Sequence, residues 1–416
     1  MQQTNPLIAR EAAYHTLIRI FRDRQMLDQA LNHEAPSAAA DRAFSRRLVL
    51  LCLRRWGQVQ ALLDHYVTPE TPMATRVVCA LGLVQLIESE VPDHAALDTT
   101  VALAQKVEIP GKLVNAILRR VQRESADYRT LPVTHNLPNI WQERWQHYDI
   151  QALAQTFVAE PPIDICVKRD PAIWAERLGA EILYGNTLRL PKCELTQLPG
   201  YESGDWWVQD VAASLPVMAL GDVKGKRVID IGAAPGGKSM QLAAAGAQVT
   251  AVDASAKRLK RMQANLERTQ LDITCLQADA RAWTPAELPD AVLIDAPCSA
   301  TGTLRRHPEL LHLKTAEDVS EMVHLQRAIL KQIGHWLPRG VPVVYATCSI
   351  EPEEGEAQMA WWCETVEGLR IQPMRAEDYG WPEEWVSANG TVRTLPSMLA
   401  DRGGMDGFYI ARLMKQ

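Results

Sequence analysis

No two of the eight cysteines (Cys52, Cys79, Cys166, Cys193, Cys275, Cys298, Cys348 and Cys363) stand in a Cys-x-x-Cys pair. Neither a zinc site nor a disulfide framework is therefore expected, and the thiols are read as reduced, with no metal. Long apolar runs are also missing. The longest, Val77 to Ile87, is broken by Gly82 and Gln85 and falls well short of the ~20 residues a membrane span needs. The opening Met1-Gln-Gln-Thr-Asn-Pro6 has no basic stretch leading into an apolar one, so no secretory signal and no membrane partner are expected, and the protein is placed in the cytoplasm. Internal repeats and low-complexity segments are absent, and so is a strong charge of one sign. A net charge of −6 and a pI of about 6.0 argue against a generally basic nucleic-acid binder. The average hides an asymmetry: residues 1–140 carry 16 Lys and Arg against 14 Asp and Glu, and the remainder 28 against 36.

What is present describes a folded protein, with 47 % apolar and 23 % charged residues. At 416 residues it is too long for one ordinary core, and two or three domains are expected. From Leu7 to about Arg123 apolar residues recur every three or four positions, which predicts six or seven helices and an all-helical bundle over residues 1–132. Pro36, Pro69, Pro72, Pro92 and Pro110 punctuate it, with Ser, Thr and Asp at the breaks as expected N-caps. Arg42, Arg46, Arg47, Arg54 and Arg55 on one helix, and Arg119, Arg120 and Arg123 on another, lack enough nearby acids for a ladder of ion pairs, so contact with RNA is expected there rather than a merely solvated face.

The proline-bearing stretch Leu131–Pro138 reads as a linker into a small connector of mixed α+β signals, residues 133–225. From 226 to 416 strand and helix alternate as in a doubly wound α/β domain. Strands are predicted at 227–231, 248–252, 273–277, 291–294 and 341–345, and helices at 237–245, 256–269 and about 318–336.

A glycine-rich loop, Gly232-Ala233-Ala234-Pro235-Gly236-Gly237-Lys238-Ser239, follows the first of these strands and admits two readings. It fits the phosphate-binding pattern GxxxxGK[ST], with Ala291–Asp295 passing for the second strand of a nucleoside-triphosphate hydrolase. Against this, Asp230, Asp253 and Asp279 close three successive strands. A carboxylate at Asp230 would repel a triphosphate but suit the cationic methionyl end of S-adenosylmethionine, Asp253 is placed for ribose hydroxyls, and Asp279 for the adenine amine. The bland alternative for each is an N-cap to the next helix. The S-adenosylmethionine reading is the better supported.

Two cysteines sit in loops after apolar strands: Cys298 in Asp295-Ala-Pro-Cys298-Ser299, and Cys348 in Thr347-Cys348-Ser349. In an open α/β sheet ligands bind beyond the carboxyl ends of the strands, so these loops and the glycine loop are expected in one crevice. Carbon 5 of a pyrimidine is a poor nucleophile until a thiolate adds at carbon 6. An acid at ring nitrogen 3 and a base for the carbon 5 proton complete the requirement. Cys52, Cys79, Cys166, Cys275 and Cys363 are read instead as small buried hydrophobes.

At these residues the chain closely resembles the RNA cytosine-5 methyltransferases: Asp230–Lys238 resembles their cofactor loop, Asp295–Gly302 and Thr347–Pro352 their two cysteine motifs, and Asp406–Tyr409 their closing strand. The resemblance implies a Rossmann-like S-adenosylmethionine-dependent methyltransferase domain, with Cys348 as nucleophile, Cys298 assisting product release and Asp295 contacting the cytosine. The cofactor would be held by residues 232–238 (Gly232, Ala233, Ala234, Pro235, Gly236, Gly237, Lys238), Asp253, Asp279 and Asp295. Asp41-Arg42-Ala-Phe44 and Leu51-Cys-Leu-Arg54-Arg55 resemble the NusB-like RNA-binding domain of the Sun/Fmu branch. That branch implies 16S ribosomal RNA as partner, naked or in an early particle, and a monomeric enzyme; another RNA such as tRNA, or a non-catalytic ribosome assembly factor, are the rivals. Two departures stand out. Cys166-Val-Lys168 follows Pro161-Pro162 where the family has Arg-x-Asn, and Leu311-His312 replaces a usual Lys-Trp after Arg305–Pro308.

Overall fold

A computed structural model describes residues 6–89 and 91–416, so Met1–Asn5, part of the opening read for a signal, lie outside the described residues. The chain forms two compact units, Met1–Glu160 with Leu304–Lys314, and Pro161–Thr303 with Thr315–Gln416. No helix of the described residues is long and apolar enough to cross a membrane.

The first unit is helical: α1 (Ile8–Phe21), α2 (Leu27–His33), α3 (Ala39–Arg54), α4 (Trp56–Leu63), α5 (Met73–Glu88), α6 (Asp93–Lys106), α7 (Gly111–Arg123), α8 (Asn139–Arg144) and α9 (Ile150–Val158). Helix α7 shows why: Val114, Ile117, Leu118 and Val121 recur at helical spacing and are buried, leaving Arg119, Arg120 and Arg123 outside. The starts of α5, α6 and α7 are not the Ser, Thr and Asp caps expected. Pro72, Pro92 and Pro110 hold those positions, and their fixed φ sets the chain for the first turn without a side-chain hydrogen bond. Nor do all the arginines face solvent. Arg54 is buried and donates to the Arg305 carbonyl (3.3 Å), and Arg55 pairs with Glu88 (3.1 Å).

The stretch read as a linker is bonded into this unit. Gln58 donates from its backbone to Asn136 Oδ1 (3.0 Å) and from its amide to the Leu131 carbonyl (2.7 Å), while Asn136 Nδ2 returns a bond to Gln58 Oε1 (2.9 Å). These bonds, with Trp141 and Trp145 stacked and buried in the helices beyond, carry the unit on to Glu160.

The second unit holds two sheets. A small antiparallel one has strand order β2-β3-β1-β4, from β1 (Ile163–Val167), β2 (Glu181–Ile182), β3 (Thr187–Leu190) and β4 (Trp206–Val208), with α10 (Pro171–Leu178) between β1 and β2. Arg189 on β3 meets Asp164 on β1 through two parallel bonds (2.7 and 2.8 Å). Both are buried, and Asp164 also accepts from the Val211 amide (3.1 Å) at the start of α11 (Val211–Leu220). This pair therefore ties the small sheet to the helix that packs on the large one.

The large sheet follows the alternation predicted: β5 (Arg227–Ile231), α12 (Gly237–Ala244), β6 (Gln248–Asp253), α13 (Ala256–Thr269), β7 (Ile273–Gln277) and β8 (Ala291–Asp295). After β8 the chain passes through Leu304–Lys314, with α14 (Leu310–Leu313), which belongs to the helical unit. It returns as α15 (Ala316–Trp336), β9 (Pro342–Thr347), α16 (Glu356–Thr365), β10 (Leu369–Ile371), β11 (Val392–Thr394) and β12 (Phe408–Lys415). Strand order is β10-β12-β9-β8-β5-β6-β7, with β11 on β12; β9, β8, β5, β6 and β7 run parallel and β12 antiparallel to β9. Ala291–Ile294 of β8 and Val343–Ala346 of β9 are buried because helices cover both faces.

Within the helical unit, Leu304–Lys314 is a packing segment. Leu313 enters the core, Trp141 Nε1 donates to the Leu311 carbonyl (3.1 Å), Arg24 donates to the Leu313 carbonyl, and the His312 ring meets Phe21 edge-on. Leu311 and His312, the departures from the family pattern, thus serve packing.

Two stability measurements follow. Leaving Asp164 as an unpaired buried charge, Arg189→Leu is expected to cost about 3–5 kcal/mol in urea unfolding; a loss below about 1 kcal/mol would show the pair to be dispensable. Burial holds the His312 imidazole down to about 4, from the usual 6.5, with a bond to the Leu53 backbone offsetting it in part. The unfolded chain then binds more protons than the folded one between those values, so stability falls as pH drops through that window, by up to about 3 kcal/mol. Thermal unfolding of the wild type and His312→Leu from pH 7 to 4.5 checks this, since the variant should lack that share of the acid sensitivity.

Candidate active site

Successive strand ends build the site. Beyond β5, Gly232 turns the chain at φ +78°, and a Cβ there would stand 2.1 Å from the Asp295 carbonyl oxygen, so only glycine lets the loop cross the end of β8. At the end of β6, Asp253 accepts from the amides of Ala234 (3.2 Å) and Ser255 (2.9 Å) and pairs with Arg258 (3.0 Å). The cap of α13 is Ser255, so Asp253 is not the N-cap of that helix. Beyond β7, Asp279 forms a two-pronged pair with Arg281, whose guanidinium bonds hold the carboxyl at about 2.

These groups surround a cavity of about 590 Å³, whose lining includes Gly232, Asp253, Asp279, Asp295, Cys298 and Cys348. Ala233, Ala234, Pro235, Gly236, Gly237 and Lys238 do not line it. Ala233 and Ala234 pack instead against Leu259 and Met262, and Lys238 lies beneath the cavity. Arg258, Leu325 and Ile329 are among the lining residues not singled out from the sequence. Arg258 was legible only as one charge among several on a basic helix. Leu325 and Ile329, one helical turn apart on α15, could have been found as part of that helix's apolar face.

Below the cavity lies a buried charge cluster. Lys238 Nζ pairs with Asp295 Oδ2 at 2.8 Å and stands 5.1 Å from the centre of the Phe408 ring. Burial alone would depress this ammonium, but Asp295, Cys348 and Asp230 outweigh it and keep it charged. Asp230 is fully buried and accepts from Ser239 Oγ; burial pushes its carboxyl up to about 7, with the Ser239 bond and Lys238 opposing and Asp295 and Asp253 adding. Asp230 therefore does not reach a ligand in the cavity, as its strand-end position suggested. The same contacts dispose of the phosphate-loop reading: the lysine and serine that would meet a triphosphate and magnesium are turned inward onto Asp295 and Asp230.

The two thiols come together. Parallel pairing of β8 and β9, in register Asp295 to Ala346, brings their loops side by side, and Cys298 Sγ lies 3.4 Å from Cys348 Sγ. The bond to Cys348 raises the Cys298 pKa well above its ordinary value, helped by burial and by the charges of Cys348 and Glu354. Behind them, Gly302 donates to the Cys348 carbonyl (3.0 Å) and accepts from the Gly407 amide (2.8 Å); a Cβ on Gly302 would stand 1.9 Å from the Gly407 oxygen. Of the cysteines read as packing residues, Cys52, Cys79 and Cys166 are buried and Cys275 and Cys363 half-buried.

Comparison with known proteins agrees with this architecture. The family described as 16S rRNA methyltransferase RsmB/F matches residues 217–414, and the NusB family matches residues 7–123. The chain is 34 % identical to the ribosomal RNA small subunit methyltransferase B of Pseudomonas putida, over 80 % of this chain and 81 % of that one, and 33 % identical to that of Erwinia tasmaniensis, over 93 % and 95 %. Among solved structures, that of PH0851 superposes with a TM-score of 0.77 at 21 % identity over the whole of both chains. NSun6 from Pyrococcus horikoshii, solved with SFG, gives 0.55 at 18 % over 68 % of this chain and 98 % of that one; both show the shared fold. A third of the residues shared across most of both lengths, with a NusB-family region preceding an RsmB/F region, makes this chain a member of the ribosomal RNA small subunit methyltransferase B family.

Proposed function

We propose that this protein transfers the methyl group of S-adenosylmethionine to carbon 5 of a cytosine in 16S ribosomal RNA, through a covalent bond between Cys348 and carbon 6. The observation that carries this reading is the thiol pair, 3.4 Å apart at the edge of a cavity ringed by strand-end carboxylates. A second thiol has no purpose in direct methyl transfer to nitrogen or oxygen, whereas an adduct at carbon 6 needs both a nucleophile and a group that helps to release it.

The donor set suits a nucleoside cofactor. Gly232 leaves room for close approach, Asp253 can accept from ribose hydroxyls and Asp279 from the adenine amine, and the cavity is large enough for the whole molecule. Bound there, S-adenosylmethionine supplies an electrophilic methyl group for carbon 5. In this reading residues 233–238 shape the turn and place the Lys238 charge.

The protein's own groups divide the remaining work. The Cys348 thiolate adds to carbon 6, with the buried Lys238 ammonium stabilising its negative charge. Asp295, paired with Lys238, meets ring nitrogen 3 and relays a proton from that ammonium to the nitrogen as sulfur adds, taking it back when the sulfur leaves. The bond to Cys348 and burial hold Cys298 protonated before the adduct forms. Once the Cys348 sulfur is bonded to carbon its bond to Cys298 is lost; Cys298 gives its proton to water and, as a thiolate, takes the carbon 5 proton, so that the double bond between carbons 5 and 6 re-forms and Cys348 leaves as a thiolate. The target base must leave its stack to reach the thiols, so RNA not yet buried in the assembled particle is the expected substrate.

Labelled methyl transfer to RNA from a strain lacking this gene, with bisulfite sequencing of the product, tests the reading. Cys348→Ala is expected to lose at least about 10³-fold in rate while still binding RNA, in line with the loss of a nucleophile. Cys298→Ala is expected to accumulate a protein–RNA adduct stable to denaturation. Normal turnover in Cys298→Ala removes the role given to that thiol, and label on any atom other than carbon 5 of cytosine removes the mechanism.

A further inference from the structure

Two backbone bonds tie the thiol loops together, one on each side of Cys298. The Ala296 amide donates to the Ala346 carbonyl (2.9 Å) where the strands end, and the Gly302 amide to the Cys348 carbonyl (3.0 Å) after Cys298 has passed. Between these ties the loops meet through hydroxyl groups: Ser349 Oγ lies 3.2 Å from Ser299 Oγ and 3.1 Å from Thr301 Oγ1, and the Ile350 amide donates to Thr301 Oγ1 (3.2 Å). Hydroxyl groups free to turn would still let two sulfur atoms drift, yet catalysis by a thiol pair requires them within a few tenths of an ångström.

A buried carboxyl group fixes these hydroxyls. Glu354 is fully buried, two residues before α16, and lies outside the cavity lining. Its Oε1 accepts from the Ser299 amide (2.8 Å) and from Gln326 Nε2 (3.0 Å). Its Oε2 accepts from Ser299 Oγ and from Ser349 Oγ (2.5 Å). Ser299 directly follows Cys298 and Ser349 directly follows Cys348, so one carboxyl group grips the residue next to each thiol. The grip is itself braced: Gln326 Nε2 also donates to the Pro297 carbonyl (2.9 Å), its Oε1 accepts from Gln358 (2.7 Å), and the Tyr345 hydroxyl donates to the Glu354 carbonyl (2.8 Å). A carboxyl removed from water in this way is costly unless its oxygens are satisfied, and here both are.

We infer that Glu354 is a positioning residue that sets the Cys298–Cys348 separation by bonding Ser299 and Ser349 together. It touches neither cavity nor thiol, and it acts through the two serines. Its consequence for methyl transfer rests on the thiol-pair reading above, but the spacing itself does not.

The discriminating variants are Glu354→Gln and Glu354→Asp in the full chain. Glutamine keeps the reach: its oxygen can accept from the Ser299 amide and Gln326, and its amide can donate to the serine hydroxyls, which turn about to accept. Aspartate keeps the charge but is one methylene short. The readout is oxidation by diamide, in which the two thiols give two electrons and two protons to the azo bond, forming the Cys298–Cys348 disulfide and a hydrazine. Cofactor binding by calorimetry confirms that each variant is folded. Glu354→Asp is expected to slow crosslinking by about tenfold or more, and Glu354→Gln to stay within about threefold of wild type. In methyl transfer, kcat should follow the same order with the KM for S-adenosylmethionine little changed. Wild-type crosslinking in Glu354→Asp overturns the inference, as does the reverse order, which would mean that the charge and not the reach matters. Slowed crosslinking in Glu354→Asp with undiminished kcat upholds the spacing role and overturns the thiol-pair mechanism instead.

Discussion

The parallel pairing of β8 with β9 is the constraint on which the site depends. It puts two loops of unrelated sequence at the same end of neighbouring strands, and with the register Asp295 to Ala346 the two thiols fall opposite one another. Burial on both faces fixes that register, because a one-residue slip would turn the apolar side chains of Ala291–Ile294 and Val343–Ala346 out of the positions they fill in the covering layers. The antiparallel closing strand β12 completes the arrangement from the far side of β9, and Gly407 can approach Gly302 only because neither has a side chain.

Charge is arranged around the thiols with the same economy. One ammonium, Lys238, is enclosed among Asp295, Asp230 and Cys348, and the ring of Phe408 covers it. A lone lysine in such a place would lose its proton; here the surrounding negative groups hold it charged. Asp230 takes the opposite course, its carboxyl pushed up by burial and by neighbouring acids. The carboxylates that face the cavity are each neutralised by a near neighbour, Asp253 by Arg258 and Asp279 by Arg281, so a ligand meets oriented acceptors rather than bare charge. An ammonium beside a thiol pair and a set of paired acids beside a nucleoside-sized cavity are two halves of one arrangement, joined at Asp295.

Much of this was legible in the chain. The predicted strands and helices from residue 226 onward lie within a few residues of those observed, because strands buried on both faces read as short apolar runs and the helices between them carry a clear period. The convergence of Gly232, Asp253, Asp279, Asp295, Cys298 and Cys348 on one crevice followed from a topological rule: loops at the carboxyl ends of parallel strands share one edge of the sheet. The linker expected at Leu131–Pro138 is different in kind. Prolines there suggested a break, but the side-chain bonds between Gln58 and Asn136 join residues far apart in sequence and leave no periodic trace.

Residue order alone therefore determined the fold class of each half, the strand ends that carry the acids and thiols, and the exclusion of a membrane-spanning helix, since each depends on local period or on connectivity. Tertiary structure decided which polar groups face the cavity. Asp230 and Asp253 end neighbouring strands in similar fashion, yet one is sealed against Ser239 and the other lines the pocket. It also decided that Arg54 lies inside the helical unit, that Leu304–Lys314 packs there although it interrupts the α/β unit in sequence, and that Glu354 bonds to both thiol loops. The reason is common to all four: a polar side chain's role is set by the partner that repays its desolvation, and that partner is brought near only when the chain has folded.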